Sequence, residues 1–146
     1  MAERYGLMVP GVKSSAPYID VLSPYNRRKI GSAATADEAV AEQALETAYG
    51  LYRDRDSWLP AWKRVDILER TVEIMTKRAD YLAVESAREG GKPLIDSIHE
   101  VARAIDGVKL CIEGLRTQAG EEIPMGISRS SQHRLAFTSL EPIGVV

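Results

Sequence analysis

Few side chains in this chain have the type and spacing that catalysis requires. Its one cysteine, Cys111, falls beside Ile112 within a long predicted helix, next to an apolar seam. A reactive thiolate needs an electropositive, partly exposed setting, so a packing role is expected for Cys111. The two histidines, His99 and His133, are far apart, and neither has a second histidine or a cysteine at metal-ligand spacing. Surface or capping roles are therefore expected for both.

The motifs that bind phosphates or build hydrolase centres are absent: there is no Gly-x-Gly-x-x-Gly, Walker loop, Gly-x-Ser-x-Gly or His-Glu-x-x-His. Gly90-Gly91-Lys92 could be a phosphate cradle, but it closes a helix, whereas phosphates bind at helix N-termini. A helix C-cap is the favoured interpretation. Four aromatic residues could form a binding face, although packing at a helix junction is favoured: Tyr49, Tyr52, Trp58 and Trp62. The sequence therefore predicts no catalytic centre in this chain.

The composition is that of an ordinary globular chain, with 146 residues of which 45% are hydrophobic and 27% charged. A net charge of −2 argues against nucleic acid or an anionic membrane as partner. The basic triplet Arg27 to Lys29 is interpreted as a solvated turn. No apolar run approaches the ~20 residues of a membrane span, and the N-terminus does not resemble a signal peptide. A lone cysteine excludes an internal disulfide, so the cytoplasm is the expected compartment.

The local signals predict a mainly α segment with three to four helices, short N-terminal strands and a C-terminal strand. Residues 18–22 and 29–33 are predicted strands around a turn at Ser23-Pro24-Tyr25-Asn26. Thr35 and Glu38 have capping-box spacing, which predicts that the first helix begins at Thr35. Apolar residues at helical spacing extend this helix to about residue 53.

A second helix is predicted to begin around Pro60, whose missing N–H suits a first helical turn. After Lys77 its apolar stripe restarts, which leaves either a bend or a fresh helix. Gly90-Gly91 followed by Pro93 is a strong stop signal. The third helical stretch has an apolar seam in alternating steps of four and three, with Gly120 as its terminator: Leu94, Ile98, Val101, Ile105, Val108, Ile112 and Leu115.

The end of the sequence is strand-like. Residues 134–140 alternate as a half-buried strand does, and residues 141–146 form an apolar run entered through Pro142. A continuous apolar run is typical of a strand buried on both faces of a parallel sheet. Such a sheet needs further elements, so we interpret the chain as the front of a larger protein.

Several short motifs, in their order and spacing, resemble the N-terminal segment of aldehyde dehydrogenases. The resemblance covers nearly all of the chain from about residue 18. The residues that carry it are Ser23-Pro24-Tyr25-Asn26, Ile30-Gly31, Ala39-Val40, Ala44, Arg64, Ile67-Leu68, Glu89-x-Gly91-Lys92-Pro93, Glu100-Val101 and Glu141-Pro142-Ile143-Gly144-Val145-Val146.

The resemblance implies NAD- or NADP-dependent oxidation of an aldehyde to a carboxylic acid. In that family a cysteine thiolate attacks the carbonyl, N–H groups hold the oxyanion, hydride passes to the nicotinamide and a glutamate activates water. These residues and the dinucleotide site correspond to positions beyond Val146, so none is assigned here. Some members hold a structural Na⁺ or K⁺ with oxygens at positions matching Val21, Leu22 and Glu89. A solvated carboxylate is the equally favoured alternative for Glu89.

The resemblance also implies a division of the chain. Residues 1–34 form strands and turns, 35–120 a helical segment flanking the cofactor-binding domain, 133–141 an oligomerisation strand, and 142–146 the start of the cofactor-binding domain of an α/β fold. The expected role is scaffolding in a homodimer or homotetramer, with the remainder of the enzyme as partner, and the segment alone is expected to be inactive. The alternative is a non-catalytic helical interaction module derived from this segment.

Overall fold

Helices dominate the described part of the chain, which confirms the mainly α prediction. The computed structural model describes residues 3–12 and 17–146, so parts of the predicted first domain, residues 1–2 and 13–16, lie outside the described residues. The helices are α1 (Glu38–Arg53), α2 (Ala61–Lys77), α3 (Ala79–Gly90) and α4 (Leu94–Thr117). The strands are β1 (Glu3–Tyr5), β2 (Tyr18–Leu22), β3 (Lys29–Ala34), β4 (Glu122–Ile123) and β5 (Ala136–Phe137).

A small sheet in the order β1-β3-β2 precedes the helices, with β2 antiparallel and β1 parallel to β3. The predicted turn between β2 and β3 is confirmed, and the Ser23 N–H donates to the Arg28 carbonyl at 2.8 Å. A register shift between Val21 and Leu22 interrupts the ladder as a bulge. Strand β1 was not predicted, because three residues are too few for an alternating pattern.

The predicted cap of the first helix is wrong. Helix α1 begins at Glu38 with Asp37 as its N-cap, whose carboxylate accepts from the Val40 N–H at 2.9 Å. The Thr35 hydroxyl instead donates to the Pro17 carbonyl at 2.7 Å, across the end of the sheet. Both Asp and Thr are good N-caps. The strand contact occupies Thr35, so the cap falls two residues later.

The second helical stretch is two helices. Pro60 is the N-cap of α2 rather than its first helical residue. Arg78, with φ of −112°, separates α2 from α3, so the fresh-helix alternative is confirmed over the bend. Gly91 ends α3 in the left-handed conformation with φ of 63°, which confirms the predicted stop.

Helix α4 packs against both α2 and α3, and these contacts form the core of the helical segment. Its Ile105 and Ile112 are buried, as is Ala83 of α3. The predicted seam is wrong at its N-terminal end, where Leu94 and Ile98 are exposed. Ser97, fully buried, occupies the inner face there instead. Within the described chain, no helix combines the length and apolarity needed to cross a membrane.

Two further expectations about this helix are corrected. Cys111 is exposed rather than packed, because a residue adjacent in sequence points about 100° away around the helix from buried Ile112. The helix also ends at Thr117, before the predicted terminator Gly120.

The C-terminal strand is shorter than predicted. Only Ala136–Phe137 is extended in a ladder, where it pairs antiparallel with the unpredicted β4. Residues 141–146 form no strand, because an apolar run becomes a ladder only where a neighbouring strand supplies hydrogen bonds.

Candidate functional site

Three of the family-like motifs meet at the junction between α3 and α4: the turn at residues 23–26, the motif at residues 89–93, and Glu100. The N–H of Gly91 donates to the Ala87 carbonyl at 2.9 Å and closes α3. A Cβ built on Gly91 would lie 2.8 Å from Pro24 Cγ and 3.3 Å from Tyr25 N. The turn after β2 therefore presses directly on the junction, and this contact requires a residue without a side chain that tolerates positive φ.

An ion pair also links this junction to α4. The Lys92 ammonium donates to the Glu100 carboxylate, eight residues further on along α4. This hydrogen bond, helped by the positive charges of Lys92 and Arg103 and opposed by desolvation, holds the pKa of Glu100 below its ordinary value. The pair was not predicted, because Pro93 separates Lys92 from α4. Sequence rules for helical ion pairs also apply only to residues three or four positions apart.

The predicted ion ligands lie near this junction on two different elements. Val21 and Leu22 are half-buried at the end of β2, and Glu89 is exposed in the last turn of α3. Glu89 lines a shallow hollow with Leu82 and other α3 residues. In residues 3–12 and 17–146, no group of three or more His, Cys, Asp or Glu side chains is placed to hold a metal. An ion here would therefore depend on backbone oxygens.

The residues considered for nucleophilic or acid–base chemistry are dispersed. His99 and Cys111 share α4 but lie twelve residues apart, which corresponds to about 18 Å along the axis. His133 lies in the connection between β4 and β5, with φ of 64°. A nucleophile and its base must lie within hydrogen-bond reach of each other. His99 and Cys111 cannot meet this condition.

The aromatic cluster divides into packed and exposed members. Tyr52 and Trp58 stack with ring centroids 6.1 Å apart, and the Trp58 indole N–H donates to the Tyr52 carbonyl at 3.0 Å. Packing is therefore confirmed for these two. Tyr49 is 56% exposed, but its ring contacts that of Tyr52 with centroids 6.3 Å apart. Trp62 is 66% exposed, so the packing expectation is wrong for Trp62. An open, mainly apolar groove runs beside the stack, with lining residues that include Leu51, Leu59, Arg64, Leu140 and Pro142.

Gly91→Ala should destabilise the chain by about 1–3 kcal/mol, because the left-handed conformation and the contact with Pro24 both penalise a Cβ. Urea unfolding followed by circular dichroism measures the change. Gly90→Ala is the matched control, since its Cβ would meet only the flexible Lys92 side chain at 3.5 Å or more. Equal losses for the two variants would contradict the role assigned to Gly91.

Comparison with known proteins agrees with this assembly of motifs. The model of the aldehyde dehydrogenase family matches residues 12–146. An aldehyde-dehydrogenase-like protein of Sinorhizobium fredii is 34% identical over 134 residues, which are 91% of this chain and 26% of that protein.

Solved structures show the same partial fold. Aldehyde dehydrogenase 21 of Physcomitrella patens, in complex with succinate, superposes with a TM-score of 0.81 at 24% identity, over 90% of this chain and 28% of that one. Glyceraldehyde-3-phosphate dehydrogenase GapN of Methanocaldococcus jannaschii, complexed with NADP, gives 0.67 at 28% identity, over 73% and 23%. The chain thus spans about a quarter of the length of its relatives, with 26% of the Sinorhizobium fredii protein covered. The chain belongs to the aldehyde dehydrogenase family.

Proposed function

We propose that this chain is the N-terminal part of an NAD(P)-dependent aldehyde dehydrogenase that oxidises an aldehyde to a carboxylic acid. The observation that carries the proposal is the family match across residues 12–146. Binding of NADP by the similar glyceraldehyde-3-phosphate dehydrogenase supports the cofactor class. In this proposal the segment scaffolds the remainder of the enzyme, which supplies the cysteine, the glutamate and the dinucleotide site. The cytoplasm is its proposed compartment.

We propose that the described residues make no contact with the dinucleotide. The phosphates of such a cofactor bind where a glycine-rich turn leads from a strand into a free helix N-terminus. The β3 to α1 connection is the nearest counterpart here. Its helix N-terminus is already capped by the Asp37 carboxylate, which accepts from the Val40 N–H. A fixed carboxylate at that position repels a phosphate, so we assign no cofactor contact to this part of the chain.

We also propose a structural Na⁺ or K⁺ bound by backbone oxygens of Val21 and Leu22 together with Glu89. The bulge between Val21 and Leu22 supports this, because a bulge leaves backbone groups outside the ladder. Replacing NaCl or KCl by tetramethylammonium chloride should lower the melting temperature of the wild type but not of Glu89→Gln. An identical response of both proteins would remove Glu89 from the site.

The β4–β5 pair is the proposed oligomerisation element of a homodimer or homotetramer. It is a two-stranded ribbon with open edges, and Leu135, Phe137 and Leu140 are each at least 66% exposed. Exposed edges and apolar side chains of this kind promote association. The chain alone should therefore self-associate at micromolar concentration, as measured by light scattering. Deleting residues 133–146 should abolish this, and a monomer both with and without them would refute the assignment.

Two assays on the chain and on the longer protein test the proposed enzyme. The 146-residue chain should show no turnover with a panel of aldehydes and no saturable binding of NAD or NADP by calorimetry. The same coding region extended in frame should show both. Absence of turnover and binding in the extended protein would refute the proposal, as would cysteine-dependent turnover by the short chain.

A non-catalytic helical interaction module is the second candidate. The exposed apolar side chains of α1 and α4, such as Leu51 at 63% and Leu110 at 72% exposure, favour it. A natural stop codon after Val146 would support the module. An open reading frame that continues into a dinucleotide-binding segment would support the enzyme instead.

A further inference from the structure

A continuous series of contacts joins the end of α1 to Glu141, at the start of the C-terminal segment, residues 141–146. Arg55, in the short 3-10 turn after α1, donates from Nη2 to Oε2 of Glu141 at 2.7 Å. The Arg55 guanidinium also lies over the Trp58 ring, 5.2 Å from its centroid. Trp58 in turn stacks on Tyr52 and donates to the Tyr52 carbonyl. These contacts bridge 86 residues of sequence.

The Trp58 ring is fixed on the α1 side, so it can orient the arginine. Its indole N–H is engaged and its face is stacked, which leaves the half-buried ring few alternative rotamers. A guanidinium held over such a ring retains its planar donors for a carboxylate. Arg55 therefore loses less side-chain conformational entropy when it pairs with Glu141. An isolated surface pair of this exposure would contribute little to stability.

Apart from the Arg55–Glu141 pair, no strand pairing fixes the direction of residues 141–146. Residues 141–146 form no strand, and Ile143 is 88% exposed. Leu140, Pro142 and Gly144 line the groove beside Tyr52 and Trp58. Glu141 lines the same groove, so the Arg55–Glu141 contact lies where residues 141–146 begin to follow it.

We propose that Arg55 is a positioning residue, which holds Glu141 against the connection between α1 and α2 and so sets the direction of residues 141–146. The effect of Arg55 on the enzyme rests on the proposed function, in which residues 141–146 lead into the cofactor-binding domain. Arg55 then acts on cofactor binding indirectly, through the path of the chain.

Contact quenching of a fluorophore by tryptophan tests the positioning on this chain at nanomolar concentration. Ile143→Cys, labelled with bimane in a Cys111→Ser, Trp62→Phe background, reports docking of the segment on Trp58, the one remaining tryptophan. Arg55→Gln should lower the ratio of docked to undocked segment about two- to fivefold, the upper part of the effect measured for exposed ion pairs, because Trp58 orients the arginine. Arg53→Gln makes the same charge change two residues away and should leave the quenching unchanged.

Arg53 is a suitable control because it forms no ion pair with any residue in the described ranges. Exchanging the charges, as Arg55→Glu with Glu141→Arg, should restore part of the quenching that either change alone removes. Equal quenching in Arg55→Gln and wild type would overturn the proposal. So would equal losses in Arg55→Gln and Arg53→Gln, because net charge would then explain the effect.

A salt titration keeps the test decisive if Arg55→Gln does not fold. Raising NaCl from about 0.05 M to about 0.5 M screens an exposed pair, so wild-type quenching should fall. Quenching that does not change with salt would overturn the proposal. In the extended enzyme, Arg55→Gln should raise the KM for the cofactor with little change in kcat, while Arg53→Gln changes neither. The quenching needs no turnover, so a failure of the proposed enzyme activity is recognised separately.

Discussion

Ile105→Ala should lower the free energy of unfolding of this chain by about 2–5 kcal/mol. The Ile105 side chain is only 8% exposed, on the helix that packs against both α2 and α3. Truncation removes buried methyl and methylene groups and leaves a cavity that the three helices cannot fully close. Urea unfolding monitored by circular dichroism at 222 nm measures the loss.

Ile98→Ala on the same helix is the matched control. Ile98 is 45% exposed, so the same chemical change should cost less than about 1 kcal/mol. A loss at Ile98 as large as at Ile105 would show that the seam predicted from the sequence describes the packing of α4 better than the structure does. Cys111→Ser, on the exposed side of the helix, should be close to neutral.

Gly120→Ala should separate β4 from β5. A Cβ at this position would lie 1.7 Å from the Thr138 carbonyl oxygen and 2.6 Å from its carbon, which no side-chain rotation can relieve. The adjoining hydrogen bonds, from Glu121 N to Thr138 Oγ1 and from Thr138 N to Glu121 O, are each 2.9 Å long. Because the pairing comprises only two residue pairs, the backbone should open rather than absorb the overlap.

Hydrogen–deuterium exchange read by mass spectrometry measures this opening, as faster exchange in peptides covering residues 118–126 and 132–140. Gly114→Ala is the control, since its Cβ would meet nothing within 4 Å on the helix surface. That change should leave the hairpin protected and stabilise α4 by up to about 1 kcal/mol. Unchanged exchange in Gly120→Ala would mean that the close approach to Thr138 is not formed.

The helices were largely predictable because their signals are local. Gly90-Gly91 and Pro93 end α3 where expected, and α1 ends at Arg53 as predicted. The start of α1 was missed by three residues, since the choice between Thr35 and Asp37 depends on a sheet contact with Pro17. Strands β1 and β4 escaped prediction because their two or three residues carry no periodic pattern.

For the candidate site, the sequence predicted which short motifs are present but not how their residues contact one another. The order and spacing of several short motifs, Glu89-x-Gly91-Lys92-Pro93 among them, indicated the family, which the match over residues 12–146 shows. The contacts that the motif residues make could not be predicted from the sequence. The approach of Pro24 to Gly91 joins residues 67 positions apart, and the Arg55–Glu141 pair joins residues 86 apart. No local rule connects residues at such separations.

Helix period and glycine or proline stops act within one or two turns, so the amino-acid sequence alone was sufficient for the number and approximate extent of the helices. The order and spacing of the short motifs were sufficient for the family. Which face of α4 is buried depended on α2 and α3. The tertiary structure placed Ser97, not Ile98, in the core and turned Cys111 to solvent. Burial is a property of two packed surfaces. The spacing of apolar residues along α4 defines only one of these two surfaces. The neighbouring helices decide which residues of α4 are covered.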